Sequence, residues 1–360
     1  MRTALSAILI VILIPVCGAF ARTWNVNSTG TGDAATIQAG IDSASAGDTV
    51  KVLGGTYYEH DIEMKSGILL THITSLTENC IIDAQGQGRV MVFDGVDATT
   101  TVRYMTFTGG HASGTGSDGC GGGLFFTNYS APTLRLCDYT HHVADNLGGA
   151  IYCEDYSAPV FDNGTLRWNQ AGAGGGGFAC ASNASPEALR LLVSGNTTPG
   201  DGGGAHCSDN SVPAFRWCVF LNCIASGSGG GLYSETSSTP DIQRCIFAFN
   251  IDGEGVYAAD DLSVPTLYCC DIYGNEGGDW IGRIADQDST VGNFSMDPLF
   301  CDTTVVLSDY GMWVEDCSPC FKENHPYYYC GAQIGSIYEG CECGTATEPT
   351  TWGTIKSLYR

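Results

Sequence analysis

Positive charge is scarce in this chain. Fifteen Lys and Arg face 39 Asp and Glu among 360 residues, for a net charge of −24. Phosphate backbones are held by clustered Lys and Arg, so this composition argues against a nucleic-acid partner. Long apolar runs are also lacking after the first 21 residues, so no transmembrane span is expected in the mature chain. An acidic, sparsely charged surface stays soluble and attracts cations.

What is present begins with a leader. Arg2 starts MRTALSAILIVILIPVCGAFA, Ala4 to Val16 is apolar, and Ala19-Phe20-Ala21 is a small-x-small cleavage site. Residues 1–21 therefore read as a secretory signal peptide, and the mature protein as secreted or cell-surface. Cys17 is a poor lipidation site, because Pro15 and Val16 precede it. Of 18 cysteines, 17 remain after the leader, an odd number in a compartment that permits disulfides.

Glycine is abundant, and its placement is periodic. Pro132, Pro159, Pro186, Pro213, Pro240 and Pro265 are spaced 27, 27, 27, 27 and 25 residues apart. Ahead of them stand Gly121-Gly122-Gly123, Gly148-Gly149-Ala150, Gly175-Gly176-Gly177, Gly202-Gly203-Gly204 and Gly229-Gly230-Gly231, with Glu254-Gly255-Val256 a degraded copy. Apolar columns recur at strand parity. Leu124, Ile151, Phe178, Ala205, Leu232 and Tyr257 form one, and Leu134, Phe161, Ala188, Phe215, Ile242 and Leu267 another. A 27-residue unit of short strands and turns suits one coil of a β-solenoid, buried only by stacking on the next. His142, Asn169, Asn196, Asn250 and Asn275 recur at a bend and are read as structural backbone binders. Cys153, Cys180 and Cys207, and Cys137, Cys218, Cys245 and Cys270, are read as small core residues.

The stretch Gly148-Gly149-Ala150-Ile151, with Phe247-Ala248-Phe249-Asn250, resembles the repeat of polymorphic outer-membrane proteins. Thr36 to Glu59 resembles the start of pectin-lyase-like secreted bacterial proteins, where a short helix caps the first coil. These resemblances imply an all-β, right-handed parallel β-helix. Ile37, Ile41 and Ala44 share a face, Thr36 or Asp33 can cap, and Gly47 can end that helix, leaving Thr49 to Val52 as the first strand. Roughly ten coils follow from the repeat length. The expected divisions are a β-helix with its cap over 22–300 (clear repeats 121–280), a Cys-rich cap over 301–343, and a linker with a tag-like end over 344–360. In the tail, Cys317-Ser318-Pro319-Cys320 with Cys330, Cys341 and Cys343 reads as a disulfide-stapled cap, with a zinc site the alternative.

Candidate function sits on the outward columns. The glycines lack the strand–loop–helix context and the Lys-Ser/Thr of a phosphate loop. Tyr152, His206 and Tyr233 are candidate ligand-binding residues beside Glu154 and Glu235, since exposed aromatics stack on sugar rings. His206 and Glu235, about one coil apart, are a candidate acid/base pair, with Glu154 a further catalytic candidate. Asp155, Asp209, Asp260 and Asp261 are candidate Ca2+ ligands, although no cofactor is required. Arg135, Arg167, Arg190, Arg216 and Arg244 gather positive charge on one side, and Arg216 and Arg244 are candidates for an anionic polymer. The resemblance also implies enzyme motifs to look for. The R-x-P-x-x-R of pectate lyases, the G-H-G of polygalacturonases and the Q-D-T-L of pectin methylesterases are absent, and Asp260-Asp261 supplies a D-D alone. The reading is a non-catalytic, adhesin-like or carbohydrate-binding surface protein. A polysaccharide lyase or glycoside hydrolase on the outward face is the alternative, and a structural surface component the second.

Overall fold

The computed structural model describes residues 21–72, 79–301, 312–327 and 330–343. The expected leader, apart from Ala21, and the tag-like end over 344–360 lie outside the described residues. Within them the chain is a parallel β-helix. The widest sheet stacks ten strands in line, beginning with Thr23–Val26, Thr49–Val52 and Leu69–His72. A second sheet of eight strands contains the glycine-led segments, and a short third sheet has five. The 27-residue period is the hydrogen-bonding register: Leu124 pairs with Ile151, Ile151 with Phe178, Phe178 with Ala205, and Ala205 with Leu232.

Two expectations shift. The first coil begins at Thr23–Val26, ahead of the helix, because this strand pairs with Thr49–Val52. The helix Ile37–Ser43 therefore lies within that coil, with Thr36 Oγ1 accepting from the Ala39 N–H at 3.0 Å and Ile37 and Ile41 buried. In the last repeat Val256, not Tyr257, is the inward partner of Leu232. The turn before Pro265 holds one more residue than its predecessors, so Tyr257 moves outward beside Tyr233.

The inward columns close one continuous core. Phe126, Phe161, Phe178 and Phe215 meet edge to face in succession, and Phe220 stacks on Phe247 at 4.5 Å. Each buried phenylalanine contributes about 1.5–3 kcal/mol. Cys153, Cys180 and Cys207 are free, buried thiols inside this core, as are Cys137, Cys218, Cys245 and Cys270. At one bend the asparagines form a ladder. Asn169 donates its backbone N–H and its Nδ2 to Asn196 Oδ1, and Asn250 makes the same pair of bonds to Asn275 Oδ1.

Tight corners separate the strands, and each corner needs a left-handed residue. Gly148 has φ +67°, and a Cβ there would collide with the Ile151 carbonyl oxygen. Other corners use ordinary residues: the pairs Asn128-Tyr129, Asp155-Tyr156 and Asp209-Asn210, and the column Leu136, Asn163, Arg190, Trp217 and Arg244. A side chain in this conformation costs roughly 1–2 kcal/mol, which coil stacking offsets.

The chain then folds back on itself. Leu192, Val219, Leu221, Ile246 and Ala248 project from the outside of the coil, yet all are buried. Phe294, Phe300, Val314, Ile334 and Ile337 cover them. Disulfides Cys269–Cys330, Cys301–Cys341 and Cys317–Cys343 secure this cap. The disulfide reading of the tail thus prevails over zinc at Cys317, Cys330, Cys341 and Cys343, whereas Cys320 is a free, buried thiol. Glu315, Cys317 and Cys343 lie within 4.8 Å of one another, but the two sulfurs are bonded together.

Candidate functional site

The outward column of the glycine-led sheet runs Phe125, Tyr152, Ala179, His206, Tyr233 and Tyr257. Its aromatics were expected to stand in solvent. They do not: Tyr152 is 5%, His206 6% and Tyr233 9% exposed. Rings one coil apart cover one another. Phe125 stacks on Tyr152 at 5.9 Å, His206 meets Tyr233 edge-on at 5.1 Å, and Tyr233 stacks on Tyr257 at 5.8 Å. Cys120, at the end of the turn Gly116–Gly119, packs in one cluster with this first pair. Arg89 lies 4.5 Å from the Phe125 ring and donates to the carbonyls of Ser117, Asp118 and Cys120. Ser117 Oγ donates to Glu154 at 2.7 Å, and burial raises the Glu154 carboxyl above its usual range. Burial likewise pushes the Tyr233 phenol up to about 12 and the Tyr152 phenol further.

His206 and Glu235 do meet, with Nε2 3.1 Å from Oε1. That hydrogen bond holds the Glu235 carboxyl below its usual range, so the carboxylate accepts and Nε2 carries the proton. The opposite ring nitrogen, Nδ1, is buried and has no hydrogen-bond partner among the described residues. It faces the backbone of Gly174, where a Cβ would collide with it.

The candidate calcium ligands are not brought together. Asp155 accepts from Thr127 Oγ1 at 3.1 Å, and Asp209 occupies the same corner two coils away, about 10 Å by coil spacing. Asp260 accepts from the Thr236 and Leu262 N–H groups and from Ser263 Oγ. Asp261 pairs with Arg283 at 2.7 Å. These are turn caps and an ion pair.

Nor do the arginines form a free positive ladder. Arg216 lies between Glu187 and Asp241, at 2.9 Å from each. Arg135 and Arg190 share Asp162. The expected column is an alternating ion-pair zigzag, largely neutral in sum. Arg244 differs: its guanidinium donates to the Cys330 carbonyl and lies 5.6 Å from the Trp217 ring and 5.7 Å from that of Tyr268.

Exposed aromatics occur instead at corners, where the sequence reading had not placed function. Tyr129 and Tyr156 are 66% and 53% exposed, and their rings stack at 5.2 Å and 7°. Trp168, also exposed, follows His141 at another corner, the rings 5.4 Å apart. Tyrosine in two successive turns at the same distance before proline was the available signal.

The fold and these sites define a parallel β-helix with a folded-back, disulfide-secured cap. No family model matches the chain, and no curated protein matches it significantly. Among solved structures it is similar to a pectin methylesterase from carrot, with TM-score 0.43 and 13% identity over 76% of this chain and 88% of that one. A pectin methylesterase from Aspergillus niger gives TM-score 0.38 and 14% identity over 76% and 89%. Likeness at this level carries no argument about activity or ligand.

Proposed function

We propose that this is an extracytoplasmic β-helix that binds a polysaccharide without cleaving it. The observation carrying the reading is the stacked, solvent-facing pair Tyr129 and Tyr156 on a rigid corner column. Aromatic faces and edges of this kind supply apolar contact to sugar rings, while Asp94, Asn128 and Asp155 beside them supply hydrogen bonds. The coil holds the rings in place, so little ordering entropy opposes binding. Three disulfides fit an oxidising compartment, and among the described residues no helix is long and apolar enough to cross a membrane.

The lyase or hydrolase alternative rests on His206 and Glu235, and their geometry speaks against it. A general base needs its lone pair within reach of a substrate proton. His206 Nδ1 faces the Gly174 backbone and Glu235 holds the opposite nitrogen, so neither ring nitrogen is open to a substrate.

The test is retention on a panel of neutral and acidic polysaccharides, with reducing-end release measured in parallel. Tyr129→Asn/Tyr156→Asn is the informative variant, because Asn183 and Asn210 occupy this same corner position with the same left-handed backbone. Retention without product, lost in that variant, is expected. Cleavage products abolished by Glu235→Gln would overturn the reading in favour of the enzyme. Absence of both retention and products would leave the structural role.

A further inference from the structure

The cap and the coil border an open pocket of about 220 Å³ at their junction. Arg190 and Trp217 line it from one corner column, and Gln333, Ser336, Ile337 and Tyr338 from the cap. The cap backbone is fixed there, because Gly335 N–H donates to the Arg244 carbonyl at 2.7 Å, and a Cβ on Gly335 would come within 2.6 Å of Ile246 Cδ1. Several groups in the wall remain available. Among the described residues, neither the Trp217 indole N–H nor the Tyr338 hydroxyl makes a hydrogen bond, and Tyr338 is exposed. Arg190, which shares Asp162 with Arg135, places its guanidinium in this wall. Arg244 stands behind Trp217 and, among the described residues, forms no ion pair. In a chain of net charge −24 this is a local cationic and aromatic spot.

We propose that this pocket is a subsite for one carboxylate-bearing sugar ring. The indole offers a face for the ring, and the planar guanidinium fork matches a carboxylate. The volume lies below the roughly 300 Å³ at which sites for drug-sized ligands begin, which suits a single ring. The inference rests on the carbohydrate-binding reading but uses residues remote in sequence from Tyr129 and Tyr156.

The experiment titrates the full chain with sodium glucuronate, N-acetylneuraminate and neutral galactose, followed by tryptophan fluorescence and saturation-transfer NMR. Binding of either acid is expected, with galactose about tenfold weaker. Arg190→Gly and Trp217→Gly should each weaken acid binding about tenfold. Both positions have left-handed backbone, with φ +53° and +54°, so glycine removes the side chain while relieving strain. Asp162 keeps Arg135 in the first variant, and unchanged melting curves confirm folding. Tyr129→Asn/Tyr156→Asn should leave acid binding unchanged. No binding of either acid, equal binding of galactose, or binding that survives Trp217→Gly overturns the subsite. Polysaccharide retention that persists in such a case leaves the broader reading intact. Acid binding without polysaccharide retention refutes the broader reading while the subsite stands.

Discussion

Asn196 should be among the most costly side chains to remove. It is fully buried and sits in the middle of the asparagine ladder. Its Oδ1 accepts from the Asn169 backbone N–H at 3.1 Å and from Asn169 Nδ2 at 2.9 Å, and its Nδ2 donates to the Leu166 carbonyl at 2.9 Å. Asn196→Ala deletes all three bonds, each contributing about 1 kcal/mol net. It also strands the Asn169 N–H in the interior, at about 1–3 kcal/mol for an unpaired buried donor. The expected loss is therefore about 4–6 kcal/mol, read from the midpoint shift in urea denaturation. Coils are stabilised by their neighbours, so amide exchange should accelerate across Leu166 to Asn169 as well as at the substitution. Asn210→Ser is the control. It sits on an exposed corner and copies Ser237 of the next coil, so its change should stay within about 0.5 kcal/mol. A loss below about 1 kcal/mol for Asn196→Ala would refute the ladder as a stabilising element.

Two further outcomes concern the cap. Cys269→Ser/Cys330→Ser opens a loop of sequence separation 61, a constraint of about 4 kcal/mol in the chain-entropy model; a dye that reports exposed apolar surface should then bind at Leu192, Val219 and Ile246 at lower denaturant than in the parent, while the β circular dichroism of the coils persists. Asp271 is fully buried, accepts from the Met296 N–H at 3.1 Å, and lies 3.4 Å from Cys320 Sγ. Desolvation raises its carboxyl well above the usual range, so the folded state binds more protons than the unfolded state. Its contribution to stability is present in acid and falls as pH rises past the ordinary carboxylate pKa, by up to about 1.4 kcal/mol per unit. Asp271→Asn should flatten that slope and raise the melting temperature at pH 8 more than at pH 5; an unchanged slope would show that other groups set it.

Most of the coil could be read from spacing alone. Proline and glycine at a constant interval, with apolar residues at even offsets, define both the register and the inward columns, because each coil must repeat the shape it stacks on. The reading slipped where one residue was inserted, at the turn before Pro265, since column counting from proline carries no knowledge of turn length. Outward positions were harder. Strand parity tells inside from outside, but outside is not the same as exposed: Tyr152 and Tyr233 are hidden by rings above and below. The cap could have been anticipated. Leu191-Leu192-Val193, Val219-Phe220-Leu221 and Ile246-Phe247-Ala248 break the alternation of one-sided strands. Three consecutive apolar residues in matching strands mean that both faces are buried, and so mark where another part of the chain must lie.

The faces of this helix are already committed. On the glycine-led face, rings stack on rings from Phe125 to Tyr152 and from His206 to Tyr257. One proline-led face is laced by Arg135, Asp162, Arg190, Glu187, Arg216 and Asp241. The next lies under the cap. Corners away from the ion pairs and the cap carry no such obligation. Their backbone is left-handed whatever residue stands there, and their side chains leave the core untouched. One corner column accordingly reads Tyr129, Tyr156, Asn183, Asn210 and Ser237, with the same φ sign throughout. A position that tolerates such a range without altering the coil is free to be chosen for what it touches outside. Aromatic rings at such a position cost strain and gain only the partial burial of stacking on each other, so contact with a ligand is the further compensation the geometry leaves.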